Sequence, residues 1–363
     1  MRDRRTLLYL LILAAFLLSM MTLVVYADSG FRTGARSSAL YNPDTKTFLY
    51  LNNADEKLPM ASTTKIMTAL LAIETLDPDE IITVSSESVG IEGSSLYLDE
   101  GDELTVKDLV YGVLLQSAND AATVLAIRIS GSVEDFALKM TERAKEIGAN
   151  DTSFQNPHGL DSNGHYTTAR DLALIAAEAL KNESFRKISA TQKYSFTVGD
   201  SVRVIVNHNK LLKLYNGCIG VKTGFTKKSG RCLVSAAESD GITLVAVTLN
   251  DPDDWIDHKN MMNLGFESLE SVNISELIDI PESIPTVSSD GAALNIGLSK
   301  DSIVKYVEEN ITLSLDLPNY IATDTRIGDK IGNVTVKLQD REEKIDIVAL
   351  SDVKIKKTTR CFL

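Results

Sequence analysis

The chain has 363 residues, of which 44% are hydrophobic, and its formal net charge is −13. This length favours two domains, and the apolar content is sufficient for a buried core. The negative net charge argues against nonspecific binding to nucleic acid. The acidic residues are spread along the whole chain, which indicates a solvated surface. The chain contains no HExxH or CxxC motif, so the residues do not support a metal site.

The first 30 residues have a different composition from the rest. A basic start, MRDRR, precedes an uncharged apolar run over residues 6–26, which leads into VYADSG. Val25 and Ala27 are small enough for signal peptidase, so we predict a signal peptide over residues 1–27, cleaved after Ala27. The apolar run is also long enough to cross a bilayer, and a retained anchor stays open as the alternative. In both cases the remainder of the chain, residues 28–363, is exported.

Residues 28–272 combine strand and helix patterns. A hairpin is predicted for SALYNPDTKTFLYLNNAD, because apolar residues alternate with polar ones on either side of a turn. Helical spacing is found in LTVKDLVYGVLLQSANDAATVLAIRI, VEDFALKMTERAKEIGA and TTARDLALIAAEAL. Patterns typical of strands follow in GCIGVKTGF, GRCLVSAAE and ITLVAVTLN. With strands at both ends and helices between them, we expect one sheet with a helical cluster packed against it.

From about Ser275 onward the sequence consists of short alternating runs, such as ALNIGLS, SIVKYV, KIDIVAL and VKIKK. These runs predict a small all-β domain over residues 273–363. The domain contains no clustered ligands and no Gly-rich loop, which favours a spacer or docking role.

The three cysteines are scattered and odd in number, which is not a disulfide framework. We interpret Cys218 and Cys232 as buried thiols, with a disulfide between them as the less favoured alternative. Cys361, near the end of the chain, is expected to be exposed.

The segment LPMASTTKIMTALLAIE places a serine and a lysine at the start of an apolar helix. Ser62 and Lys65 are three residues apart, so their side chains can meet on one face. N–H groups at a helix start lack intrahelical partners, which offers a nucleophilic serine an oxyanion donor. Burial would lower the pKa of the lysine and let it act as a base. The pattern alone is weak, since it also begins at Ser184, Ser302 and Ser351, and a simple helix cap is the alternative.

Two further polar groups follow in the chain. Ser117 and Asn119 interrupt a helical pattern, 55 residues after the first motif. Lys222, Thr223 and Gly224 lie on a predicted strand 105 residues further on and form the only Lys-Thr-Gly of the chain. Each group alone is typical of a polar loop or an edge strand. The three together, in this order and context, are the motif set of β-lactamases and penicillin-binding proteins.

The sequence resembles the low-molecular-weight penicillin-binding proteins, and among them the serine-type D-Ala-D-Ala carboxypeptidases. The similarity extends over nearly the whole exported chain and includes FLYLNNADEKLPMASTTKIMTALLA, TSFQNPHGLDSNGHYTTARDLALIA and GVKTGFTKKSGRCLVSAA. It implies an α/β (α+β) transpeptidase-like domain, with an antiparallel sheet and a helical cluster, followed by a small all-β domain. It also implies peptidoglycan stem peptides as substrate, β-lactams as inhibitors, and chemistry without metal or cofactor.

The resemblance assigns a role to each motif residue. Ser62 attacks the carbonyl between two D-alanines and forms an acyl-enzyme, while Lys65 takes the serine proton and Ser117 relays a proton to the leaving amine. The remaining motif residues bind substrate. Asn119 orients its amide, Lys222 supplies positive charge, Thr223 contacts it, and Gly224 lies beside it on the strand. Phe225 donates its backbone N–H to the oxyanion hole together with Ser62. No histidine is needed, so NPHGLDSNGHY, with His158 and His165, is predicted to be a turn-rich loop.

Two other functions stay open. A class A β-lactamase shares the motifs but uses a glutamate in a Glu-x-x-Leu-Asn loop, which does not occur between Asn119 and Lys222. A catalytically inactive peptidoglycan-binding protein could have the same fold. Some relatives bind the substrate's terminal carboxylate with an arginine after the third strand, but LNDPDDWIDHK has none, so this contact is unassigned. Contact with the outer face of the cytoplasmic membrane would depend on the N-terminal segment.

Overall fold

The computed structural model describes residues 31–288 and 290–355. The predicted signal or anchor segment and Cys361 lie outside these residues. Gly34 begins the compact unit that contains the elements described below. None of the helices in the described ranges combines the length and apolar character needed to span a membrane.

The regular elements alternate along the chain. The strands are β1 Ser37–Asn42, β2 Thr47–Asn52, β3 Ile81–Thr83, β4 Glu103–Thr105, β5 Lys193–Val198, β6 Ser201–Val206, β7 Cys218–Thr226, β8 Gly230–Ser239, β9 Ile242–Leu249, β10 Leu269–Asn273, β11 Ser283–Pro285, β12 Ala293–Leu298, β13 Ser302–Tyr306, β14 Thr312–Asp316, β15 Lys330–Lys337 and β16 Glu342–Ala349. The α-helices are α1 Lys65–Thr75, α2 Val106–Tyr111, α3 Asn119–Ser130, α4 Val133–Ile147, α5 Ala169–Leu180, α6 Glu183–Ala190, α7 Leu211–Leu214 and α8 Asp254–Ser268.

The main sheet has the strand order β2-β1-β9-β8-β7, and each neighbouring pair is antiparallel. Its strands come from the two ends of the first domain, and most of the helices lie between β2 and β7 in sequence. The predicted sheet of distant segments is therefore confirmed. The predicted hairpin corresponds to β1 and β2, and the Lys-Thr-Gly strand is β7, at one edge of the sheet.

The two faces of the sheet pack against different helices. On β9, Val245 and Val247 belong to the large core shared with α1, α3 and α5. Residues alternate in direction along a strand, so Leu244 points to the opposite face. There it lies beside Gly265 of α8, at which a Cβ atom would come within 2.6 Å of the Leu244 side chain. The sequence pattern did not indicate α8, whose apolar residues follow no clear helical stripe.

A buried histidine joins α8 to the sheet. His258 is fully buried, with its Nδ1 2.5 Å from the hydroxyl of Ser235 and its Nε2 3.0 Å from that of Thr248. Burial lowers the pKa of His258 to about 3, because the charged ring would lose its hydration. The folded protein therefore holds this ring neutral.

The C-terminal region forms a second sheet with the order β11-β12-β16-β15-β14, all antiparallel. It has its own apolar core, which includes Ile284, Leu294, Ile296, Val334, Val336, Ile345 and Ile347. The all-β prediction is thus confirmed for the fold class. Two details differ. SIVKYV becomes β13, which pairs with β10 instead of this sheet. The described part of VKIKK, residues 353–355, forms a single bridge, between Val353 and Thr325. The boundary at residues 272/273 stays a prediction and falls within β10.

The cysteines within the described ranges are free thiols. Cys232 is buried and Cys218 half-buried. Burial raises the pKa of Cys232 to about 11, so the thiol is poorly reactive.

The buried His258 predicts an acid-sensitive fold. The unfolded chain protonates this residue below about pH 6.5 while the folded chain does not, so stability present above that pH is lost as the pH falls toward 3. At pH 5 the loss amounts to about 2 kcal/mol. Between pH 7.5 and pH 5, we expect the free energy of unfolding of His258→Gln to fall by about 2 kcal/mol less than that of the wild type. Chemical denaturation at the two pH values measures both changes.

Comparing the wild type with His258→Gln isolates the contribution of His258 to the pH dependence of stability. Asp251, whose pKa burial raises to about 6, acts in the opposite direction, but it is present in both proteins and cancels. Equal pH dependence in the wild type and the variant would show that folding does not lower the pKa of His258.

Candidate active site

The first motif lies where a short 3-10 turn, Ala61–Thr64, runs into α1. Ser62 is on this turn and Lys65 is the first residue of α1, with its Nζ 3.0 Å from the Ser62 Oγ. The following apolar residues of α1, such as Ile66 and Leu70, are buried in the large core and fix the helix. The structure therefore brings Ser62 and Lys65 together, as the spacing predicted.

The other Ser-x-x-Lys pairs have no such surroundings. Ser184 and Lys187 are exposed on the short helix α6. Ser302 and Lys305 lie on strand β13, where residues three apart point to opposite faces. The tertiary structure thus selects the first pair among patterns that are equivalent in sequence.

Lys65 is 0% exposed, and all its hydrogen-bond partners in the described residues are neutral. Besides Ser62, its Nζ contacts the Oδ1 of Asn119 and the backbone carbonyl of His158, each at 2.6 Å. Burial, and secondarily the charge of Lys222, hold the pKa of Lys65 well below its usual value. The nearby Asp120 carboxylate acts in the opposite direction but is the weaker influence.

The three contacts of Lys65 serve both the ammonium, which donates to all three oxygens, and the neutral amine that burial favours. Such an amine has two N–H donors and one lone pair. The Asn119 Oδ1 and the His158 carbonyl can only accept, so they take the two N–H groups. The lone pair is then left for the remaining neighbour, the hydroxyl of Ser62. This arrangement can remove the serine proton.

The second motif lies at a break between helices. A π-helical turn over Gly112–Gln116 ends at Ser117, which has a left-handed backbone (φ +62°), and α3 begins at Asn119. The Oγ of Ser117 makes no hydrogen bond to any group within residues 31–288 and 290–355, so it is free for another partner. Both polar ends of Asn119 are occupied, by Lys65 and by the carbonyl of Glu92. Its predicted role in orienting the substrate amide stays a prediction.

The third motif lies on the edge strand β7, beside the nucleophile. A Cβ atom at Gly224 would lie 3.0 Å from the Ser62 nitrogen and 3.1 Å from the Thr63 nitrogen, so glycine permits this close approach. Lys222 is 1% exposed, donates to the carbonyl of Thr223 at 2.9 Å, and has its pKa lowered to about 7 by burial. Phe225 follows with a side chain that is 65% exposed. The substrate roles of these residues stay predictions.

The sequence reasoning missed the contribution of the loop over residues 156–166. It supplies the His158 carbonyl to Lys65, and Thr68 of α1 donates to the Pro157 carbonyl at 2.6 Å. Gly159 has φ +90°, and a Cβ atom there would lie 1.9 Å from the Ala61 carbonyl oxygen. Asn and Gly in NPHGL were signals for a turn, but they carried no information on what the turn would contact.

The family can be identified from a sequence match over residues 25–253, more than half of the chain, to the D-alanyl-D-alanine carboxypeptidases. The chain belongs to this family. The resemblance inferred from the three motifs is thereby confirmed.

Individual relatives agree with this assignment. The D-alanyl-D-alanine carboxypeptidase DacF of Bacillus subtilis is 42% identical over 219 residues, which cover 59% of this chain and 56% of DacF. The chain thus aligns with little more than half the length of that relative. Among solved structures, the Streptomyces DD-transpeptidase has a TM-score of 0.62 at 33% identity, covering 65% of this chain and 98% of its own. The carboxypeptidase DacD of Francisella tularensis has a TM-score of 0.65 at 26% identity, covering 90% and 95%.

The charge of Lys222 near Lys65 predicts that substituting Lys222 shifts the pH dependence of acylation. Removing the positive neighbour in Lys222→Gln should raise the pKa of Lys65. The acid limb of acylation by a fluorescent penicillin, followed from pH 5 to pH 9, should then move to higher pH, whatever happens to the maximal rate. Lys228→Gln, which removes an exposed charge from the turn after β7, is the control and should leave the limb in place. A limb that stays or moves to lower pH in Lys222→Gln would contradict this coupling.

Proposed function

We propose that this protein is a serine-type D-alanyl-D-alanine carboxypeptidase that removes the terminal D-alanine from peptidoglycan stem pentapeptides. The observation that supports this most directly is the Ser62 hydroxyl 3.0 Å from the fully buried amine of Lys65. Family membership supports the same activity. A protein that only bound peptidoglycan would have no need of a desolvated lysine at this position.

The acylation step uses the three motifs together. Lys65 takes the proton of Ser62 as the serine oxygen attacks the carbonyl between the two D-alanines. The negative oxygen that forms is stabilised by the backbone N–H groups of Ser62 and Phe225. The unoccupied hydroxyl of Ser117 passes a proton to the departing amine, and D-alanine leaves with the shortened peptide bound to Ser62 as an ester.

Water then cleaves the ester and restores Ser62. In class A β-lactamases a glutamate activates this water, but the described residues place no glutamate in hydrogen-bond contact with Ser62 or Lys65. The absence of that base favours a carboxypeptidase over the β-lactamase alternative. We infer that β-lactams acylate Ser62 and remain bound.

The location of the reaction follows from its substrate. Peptidoglycan peptides are processed outside the cytoplasm, where this family acts, and the basic-apolar start of the chain is consistent with export. We propose that the N-terminal segment either is cleaved or holds the enzyme at the outer face of the cytoplasmic membrane.

The nucleophile assignment has a direct test. Ser62→Ala should abolish both D-alanine release from a pentapeptide and covalent labelling by fluorescent penicillin, since no other hydroxyl of the described residues bonds the Lys65 amine. Ser184→Ala, from an exposed Ser-x-x-Lys pair, should retain both. Labelling of Ser62→Ala would place the nucleophile elsewhere, and rapid turnover of penicillin by the wild type would support a β-lactamase.

The structure offers a partner for the free carboxylate at the end of the substrate. Arg231 of β8 pairs with Phe225 of β7, so both side chains emerge on one face, which Thr223 shares. The Nε and Nη2 of Arg231 contact the Asp254 carboxylate at 3.0 and 2.5 Å, and the guanidinium carbon lies 5.6 Å from the centre of the Trp255 ring. The Arg231 side chain is 42% exposed, whereas that of Asp254 is only 4% exposed.

These contacts fix the guanidinium and leave one edge of it available. Nη1 bonds no group in the part of the chain that the structure describes. A guanidinium edge is well suited to a carboxylate. Lys222 is less suited, because burial lowers its pKa to about 7 and its Nζ already donates to Thr223. We propose that Arg231 receives the terminal carboxylate of the substrate.

The carboxylate assignment predicts a substrate-dependent effect. Arg231→Gln should lower kcat/KM for a peptide ending in free D-Ala-D-Ala by about 10- to 100-fold, as expected for loss of a charge-assisted hydrogen bond. It should have little effect on the same peptide with an amidated end. Lys227→Gln, which removes an exposed charge nearby, is the control. Equal losses on both peptides in Arg231→Gln would show a structural role instead.

A further inference from the structure

The residue before the nucleophile has an unfavourable backbone. Ala61 has φ +47°, a left-handed conformation that costs a non-glycine residue about 1–2 kcal/mol. Ser62 follows directly, so the direction of its side chain depends on this turn. Backbone strain of this kind persists only where surrounding contacts hold it.

A threonine hydroxyl holds the carbonyl of that residue. Thr64 is fully buried, and its Oγ1 donates to the Ala61 carbonyl oxygen at 2.7 Å. The same Oγ1 lies 2.8 Å from the Nε2 of His165. Because the only proton of the hydroxyl goes to the carbonyl, Oγ1 must accept a hydrogen bond from the histidine.

The hydrogen bond at Nδ1, the other ring nitrogen of His165, confirms that Nε2 is the donor to Thr64. The backbone N–H of Gln155 donates to the Nδ1 of His165 at 3.0 Å, so Nδ1 carries no proton. The ring is therefore the neutral tautomer with its proton on Nε2. Burial, and secondarily Lys65, lower the pKa of His165 to about 4, in agreement with a neutral ring. Three hydrogen bonds thus run in one direction from Gln155, through His165 and Thr64, to Ala61.

This chain of bonds ends one residue short of the nucleophile. No hydrogen bond joins His165 to Ser62 or Lys65 among the described residues, and both ring nitrogens already have partners. His165 thus has no free nitrogen with which to act as the catalytic base. The ring contacts the turn that carries Ser62, and not Ser62 itself.

We infer that His165 and Thr64 are positioning residues, which hold the left-handed turn at Ala61 and thereby direct Ser62 toward Lys65 and the substrate. The inference rests on the proposed function, because it assigns these residues to the acylation step. It predicts that loss of the Thr64 hydroxyl slows acylation while leaving noncovalent binding of the β-lactam or peptide nearly unchanged.

The test compares matched variants in the exported chain. Thr64→Val removes the hydroxyl at constant shape and should lower the acylation rate constant for a fluorescent penicillin by about tenfold or more, whereas Thr64→Ser should restore it to within about twofold. Thr248→Val is the control. It removes an equally buried hydroxyl that also contacts a histidine Nε2, that of His258, but lies on β9 and does not contact the Ala61 turn.

A second variant separates positioning from general destabilisation. His165→Phe keeps an aromatic ring beside Phe154, whose ring centre lies 5.9 Å away, but removes both hydrogen bonds. If the chain of bonds acts as one unit, the double variant with Thr64→Val should acylate no more slowly than the slower single variant. If Thr64→Val does not fold, the same rate constants are measured for His165→Phe and Thr248→Val.

Two kinds of result would overturn the inference. One is an acylation rate in Thr64→Val or His165→Phe that equals the wild-type rate or the Thr248→Val rate. The other is additive effects in the double variant. Failure of the proposed function is distinguishable, because then the wild type itself would neither release D-alanine nor become labelled.

Discussion

The site is organised by the burial of the Lys65 amine. A charged ammonium is costly in a dry environment, so burial favours the neutral form of a group that is normally charged. The neutral amine then needs two acceptors for its N–H groups, and the protein provides these as the Asn119 side chain and the His158 carbonyl. The remaining lone pair faces Ser62. Lys65 therefore depends on the helix break at Ser117, which is followed by Asn119, and on the loop over residues 156–166, which carries the His158 carbonyl.

Close backbone contacts bring these parts together. Gly224 on β7 and Gly159 on the loop both lie against the Ala61–Thr64 turn, where larger residues would collide with backbone atoms. Such contacts reduce the space for water around Lys65 and keep the edge strand next to Ser62. The same contacts leave Ser62 close to an unpaired strand edge, along which an extended peptide could be added as a further strand.

The sheet supplies the rigidity that this arrangement needs. The helical cluster packs on one of its faces and α8 on the other, where His258 bonds Ser235 and Thr248 without carrying charge. Ser235 pairs with Val221, the residue before Lys222. The second face is therefore connected to the strand that lines the site, although no residue of α8 belongs to the catalytic motifs.

Local pattern in the sequence was enough to predict the main strands, the helices α4 and α5, the all-β C-terminal region and the three motifs, because these depend on spacing along the chain. It was not enough for α8, which has no clear apolar stripe, or for β13, whose pairing with β10 depends on a distant segment. Nor could it distinguish Ser62 and Lys65 from three equivalent pairs, or place Asn119 and the His158 carbonyl against the Lys65 amine. Those were decided by the tertiary structure, because burial and the positions of Asn119 and His158 arise only when segments more than 50 residues apart come together.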